Sequence, residues 1–138
     1  MALPSGSAGS EHPGDPCVLV AEDEELVRDL AVHILRSNGF RVIAAKDGAE
    51  AVSLFGEHEK EIDVVLLDLT MPVLNGAEVL IELKRRRPQL PVVITSGYGG
   101  PSSPLPKAAM ERTRFLQKPY RTQALLSEIR SMLPLGTA

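Results

Sequence analysis

The chain has 138 residues, 43% of them hydrophobic and 24% charged, which suits one soluble globular domain and leaves too little for a second full one. Fifteen Lys and Arg against eighteen Asp and Glu give a formal charge of -3, and the aromatic content is 4% with no Trp. That balance excludes a general attraction to nucleic acid or to an acidic membrane surface, excludes a base-stacking platform, and requires an aliphatic core.

Residues 1–16 (MALPSGSAGSEHPGDP) are rich in Gly, Ser and Pro without apolar periodicity, and predict a flexible tail or linker. CVLVA, beginning at the single cysteine Cys17, predicts a buried strand. A lone cysteine has no internal disulfide partner, and with neither a secretory signal nor a long apolar run in the sequence it fits a reducing, cytoplasmic setting. EELVRDLAVHILRSNG then sets Leu26, Val27, Leu30, Ala31, Ile34 and Leu35 at helical spacing, with Asn38-Gly39 as the stop.

The couplet recurs. RVIAA precedes a helix from about Asp47 to Glu57, DVVLLDL a helix from about Gly76 to Arg86, and RFLQ a helix from about Arg121 to Met132, with PVVIT as a further strand between the last two. The third and fourth strands are nearly continuous Val, Leu and Ile, as burial on both faces of a parallel sheet requires. Between Thr95 and Arg114, GYGGPSSPLPKAAMERT predicts a loop and a short fourth helix that starts near Pro106 and lasts about two turns, in preference to a polyproline ligand over 101–106. Residues 17–133 therefore predict one α/β domain, a doubly wound (βα)5 sandwich with a parallel sheet and right-handed crossovers, and 134–138 a tail with no output domain after it.

In such a sheet, ligands bind beyond the carboxyl ends of the strands. Glu22 and Asp23 follow the first strand, Asp68 lies near the end of the third, Thr95 and Ser96 end the fourth, and Lys118 follows the fifth. Taken singly, each is an ordinary turn, cap or strand-end residue. Taken together, three carboxylates at one edge call for a hard divalent cation with oxygen ligands, and Mg2+ suits a site that also takes a phosphate oxygen. The backbone carbonyl of Thr70 offers a further ligand. Lys118 can pair with Asp68 or with a phosphoryl oxygen, and the Thr95 hydroxyl can donate to another, which are the parts needed for in-line phosphoryl transfer to a carboxylate nucleophile.

From about Cys17 to Leu133 the chain resembles the receiver domains of response regulators, through VLVAEDE, VVLLDLTMPVLNG, VVITSGYG and FLQKPY, with the DLxMPxxxG and KP elements in order. The resemblance implies a flavodoxin-like sheet of order 2-1-3-4-5 with helices on both faces. It implies that Asp68 is the phosphoacceptor, that Asp23 and Asp68 ligate Mg2+ directly, and that Glu22, in place of the commoner Asp, acts through water. It further implies that Thr95 is the switch hydroxyl, that Lys118 binds the phosphoryl group, that Ser96 leaves room for the donor, and that Phe115 holds the aromatic switch position, a place equally compatible with plain core. The implied partner is a sensor histidine kinase or a histidine phosphotransfer domain, with no direct nucleic-acid or membrane contact. TSGYG and FLQKPY resemble receivers at the C-terminal end of hybrid sensor histidine kinases, whereas the Pro-rich segment weakens any carry-over of a dimer mode. The implied chemistry is self-catalysed transfer and hydrolysis, so the domain is a switch and not a turnover enzyme. Two other readings are a phosphorylation-independent docking module, which has no need of the full residue set, and a Mg2+-dependent phosphohydrolase, which needs a second acid that Thr70 does not supply.

Overall fold

The computed structural model describes residues 14–71, 75–97 and 107–133, so the expectations for residues 1–13, 101–106 and 134–138 lie outside it. The elements run β1 (Cys17–Ala21), α1 (Glu25–Arg36), β2 (Arg41–Ala45), α2 (Gly48–His58), β3 (Ile62–Asp68), α3 (Gly76–Arg86), β4 (Val92–Ser96), a 3-10 turn (Lys107–Met110), β5 (Thr113–Gln117) and α4 (Thr122–Ser131). The strands form one parallel sheet of order β2-β1-β3-β4-β5.

Alternation along the strands builds two cores. Leu19, Ala21, Val65 and Leu67 pack with Phe55 of α2 and with Val79, Leu80 and Leu83 of α3. Val18, Val20, Val64 and Leu66 pack with Ile34 and Leu35 of α1 and with Leu125 and Ile129 of α4. β1, β3 and β4 are thus covered on both sides, which is why 17–21, 64–67 and 92–94 read as unbroken apolar runs.

Local chemistry fixes the helix ends. Gly39 adopts φ +90, a left-handed conformation that suits glycine, and lets the Phe40 N–H return to the Leu35 carbonyl while the Asn38 side chain donates to Ile34 O at 2.7 Å. Asn75 caps α3 by accepting from Glu78 N–H, and the Glu78 side chain accepts in return from Asn75 N–H.

Two expectations need correction. The apolar positions of α1 do not share one buried face: Ala31, Ile34 and Leu35 are buried, but Leu26 is 85% and Leu30 57% exposed. At about 100° per residue, Leu30 falls about 100° and Leu26 about 140° round the helix from Ala31, outside the stripe that holds Ile34 and Leu35. The two-turn fourth helix is, among the described residues, a single 3-10 turn, because Arg112 turns left-handed at φ 54 and Thr113 already begins β5. Lys84, buried on α3, fastens this stretch by donating to the carbonyls of Leu90 and Glu111. Burial, with the Arg112 charge beside it, pushes its pKa down to about 8.

Candidate functional site

Strand register brings the polar residues to one edge. Ala21 pairs with Leu67, Asp68 with Thr95, and Ser96 with Gln117, so Glu22, Asp68, Thr95 and Lys118 stand at successive strand ends. Asp68 and Thr95 also follow Leu66 and Val93 toward the α1 and α4 side of the sheet, by the two-residue period of a strand. Backbone bonds tie the loops together at this level: Leu69 N–H to Thr95 O at 2.9 Å, Lys118 N–H to Ser96 O at 2.8 Å, and Gly76 N–H to Leu69 O at 3.0 Å.

One carboxylate oxygen each from Glu22, Asp23 and Asp68 lies within 4.8 Å of the others, with Glu22 and Asp68 buried and Asp23 exposed at the mouth. The Lys118 ammonium lies 2.8 Å from Glu22 Oε1 and 3.5 Å from Asp68 Oδ1. Lys118 thus pairs with both carboxylates: the pairing with Asp68 expected from the sequence is present, and Glu22 is the nearer partner. Glu22 Oε2 accepts from Glu24 N–H at 3.1 Å, and Asp68 Oδ1 accepts from Thr70 N–H at 3.1 Å. Thr70 itself is exposed at the rim. Thr95 and Ser96 are buried at the end of β4. Phe115 is 39% exposed and lines an open groove of about 540 Å3 with Arg114, Glu128 and Met132, so it is not a plain core residue.

Electrostatics register the crowding. Burial, followed by the Glu22 charge, raises the Asp68 pKa to about 7, against the opposing pull of the Thr70 N–H and of Lys118. Burial opposes the Lys118 charge, but the hydrogen bond to Glu22 and the charges of Asp68 and Glu22 outweigh it and leave the pKa raised. Tyr120, two residues beyond Lys118, was not singled out from the sequence; burial and then the Glu22 charge push its phenol up, which marks it as a neighbour of the site. Its only sequence signal was proximity to the KP pair.

Three carboxylates facing one ammonium leave the pocket short of positive charge, and every side-chain donor in the cluster is oxygen. That set fits Mg2+. A consequence for stability follows from the sign of the Asp68 shift. Its pKa rises from 3.8 to about 7 on folding, so the folded state holds the proton more tightly and stability falls as pH rises between those values. Thermal unfolding of the metal-free chain should show a loss on the order of a few kcal/mol between about pH 4 and pH 7. Asp68→Asn should flatten that slope, and Mg2+ should restore stability at pH 8. A slope unchanged by the substitution would contradict the assignment of the shift to Asp68.

The sequence profile described as "Response regulator receiver domain" matches residues 18–130. The chain belongs to this family.

Among curated relatives, this receiver is 33% identical over 120 residues to "Sensor kinase CckA" of Brucella abortus (strain 2308), covering 87% of this chain and 13% of the kinase. It is 32% identical over 117 residues to "Chemotaxis protein CheY" of Bacillus subtilis (strain 168), covering 84% of this chain and 96% of that protein. Among solved structures it resembles the receiver domain of the hybrid histidine kinase CckA, with a TM-score of 0.73, 30% identity, and 86% and 99% of the two chains covered. It also resembles a chain of the CheX-CheY-BeF3-Mg2+ complex of Borrelia burgdorferi, with a TM-score of 0.75, 29% identity, and 84% and 87% covered. The receiver thus spans a small part of the kinase and nearly all of the chemotaxis protein. It is a module of two-component signalling, a class whose domains are phosphoacceptors that bind Mg2+ at an acidic site and work with histidine kinases or phosphotransfer partners. No helix among its described residues is long and apolar enough to cross a membrane.

Proposed function

We infer that this receiver accepts a phosphoryl group on Asp68 from a phosphohistidine of a sensor kinase or histidine phosphotransfer domain, and acts as a conformational switch. The observation that carries the reading is the meeting of Glu22, Asp23 and Asp68 with Lys118 at one sheet edge. Asp23, Asp68 and the Thr70 carbonyl, with Glu22 beside them, would hold Mg2+, which would neutralise charge on the phosphoryl oxygens. A carboxylate oxygen of Asp68 attacks phosphorus, the P–N bond of the donor breaks, and the leaving imidazole takes a proton from solvent. Lys118 and the Thr95 hydroxyl stabilise the incoming oxygens, and Ser96 leaves space for the donor. Water later attacks the acyl phosphate, releasing phosphate and the free Asp68 carboxylate, so the domain resets without turning over a substrate.

The added negative charge draws Thr95 and Lys118 inward and shifts Phe115 and the stretch before β5 between two populations. The likeness to the CckA receiver supports a place within a hybrid kinase; the lone Cys17 fits a cytoplasmic setting. Beryllofluoride, which copies the shape and charge of a phosphoryl group on a carboxylate, tests the switch. With Mg2+ it should move the amide resonances of Thr95, Lys118 and Phe115 together, and chelation should return them. Resonances of Thr95 and Phe115 that stay still while those around Asp68 move would refute the coupling.

A further inference from the structure

The chain has two asparagines, Asn38 and Asn75, and a glycine follows each. With no side chain on the following residue, nothing screens its backbone nitrogen from the asparagine amide, so Asn-Gly is the step at which that nitrogen most readily attacks the side-chain carbonyl carbon. The two steps are alike as chemistry and unlike as structure. Gly76 is buried, and its N–H donates to Leu69 O at 3.0 Å. Asn75 before it is held twice by Glu78: its side chain accepts from Glu78 N–H at 3.0 Å, and its own N–H donates to the Glu78 carboxylate at 3.1 Å. Freeing the Gly76 nitrogen requires the start of α3 to part from the end of β3. Asn38 and Gly39, by contrast, are both exposed in the turn after α1. The Gly39 N–H reaches Arg36 O only at 3.5 Å, the outer limit of a hydrogen bond, and a Cβ added at Gly39 would meet nothing within 4 Å. The Asn38 amide nitrogen donates to Ile34 O at 2.7 Å, which restrains the side chain, but helix ends open locally at far lower cost than elements packed into the core.

We propose that Asn38 is a site of spontaneous deamidation in the folded chain, and that Asn75 is protected. The Gly39 nitrogen attacks Asn38 Cγ, the bond from Cγ to the amide nitrogen breaks, and ammonia leaves with the proton given up by Gly39 N–H. Water then opens the succinimide at either carbonyl, giving isoaspartate or aspartate. Either product weakens the end of α1. A carboxylate has no N–H for Ile34 O, and it sets a negative charge at the negative end of the helix dipole. Isoaspartate also lengthens the main chain within the turn that returns Phe40 N–H to Leu35 O at 3.1 Å, and Phe40 is buried in the core that α1 shares with the sheet. The modified chain is therefore the less stable one.

The test incubates the folded chain in mildly alkaline buffer, with a parallel sample in guanidinium chloride. Mass spectrometry then follows tryptic peptides 37–41 and 61–84, each of which holds one of the asparagines. In the folded chain 37–41 should convert at least about tenfold faster than 61–84, because local opening at a helix end is far more frequent than opening of the core. In denaturant, where only the shared Asn-Gly chemistry remains, the two rates should converge. Isoaspartate should accompany aspartate in 37–41, the mark of a succinimide, and the converted chain should unfold at a lower temperature. Equal rates in the folded chain, faster conversion of 61–84, a gap that persists in denaturant, or aspartate without isoaspartate would each overturn the proposal. A converted chain as stable as the unconverted one would overturn its stated effect on α1.

Discussion

Gly76→Ala should destabilise the chain by about 3 kcal/mol and displace the phosphoacceptor loop, although alanine is the better helix former. A Cβ at this position would lie 2.4 Å from the Asp68 carbonyl oxygen and 2.4 Å from Leu69 Cα, both backbone atoms that no rotamer change can move aside. The approach is close because Gly76 N–H donates to Leu69 O at 3.0 Å, which draws the start of α3 against the end of β3. Alanine gains at most about 1 kcal/mol from helix propensity and reduced chain entropy, so the clash determines the sign. Urea unfolding should show a lowered midpoint with the same slope, and phosphorylation of the folded fraction should slow as Asp68 shifts. A midpoint equal to or above wild type would show that the loop yields freely, and the close approach would then not position Asp68.

Lys118→Met should have opposite effects on the two halves of the site's chemistry. The stem is retained, but the positive charge beside Glu22 and Asp68 is removed. Without it, phosphorylation by acetyl phosphate should slow by about 100-fold or more, the usual cost of deleting one electrostatic stabiliser of a developing oxyanion. Affinity for Mg2+ should rise, since three carboxylates are left with no ammonium among them. Phosphorylation rate and calorimetric Mg2+ titration read the two effects independently. Weaker Mg2+ binding would mean that Lys118 organises the carboxylates more than it competes with the cation, contrary to the charge balance described above.

The parts of the fold that were legible in the sequence are those where burial dictates residue type. Beyond Asp63, β3 and likewise β4, covered on both faces, admit only Val, Leu and Ile until Asp68 and Thr95, so a polar residue ending such a run stands out. Asn38-Gly39 announced the end of α1 because only a few residue types adopt its left-handed turn. Leu26 and Leu30 misled, since spacing identifies a helix but not which flank of its apolar stripe the sheet covers. The short turn before β5 was overestimated for a related reason: alanine-rich KAAM favours a helix locally, but the left-handed Arg112 and the start of β5 at Thr113 leave room for one turn. Within the site, the order of the acidic residues, Thr95 and Lys118 was plain. The contact between Lys118 and Glu22 was not, because it depends on the reach of one extra methylene across strand ends far apart in sequence.

Asp68, within its cation-binding cluster, is the residue that must take the phosphoryl group. Intact mass after incubation with acetyl phosphate measures it directly. The wild-type chain should gain one phosphoryl group in the presence of Mg2+ and none after chelation, and Asp68→Asn should gain none under either condition. No gain by the wild-type chain, or a gain that persists in Asp68→Asn, would contradict it.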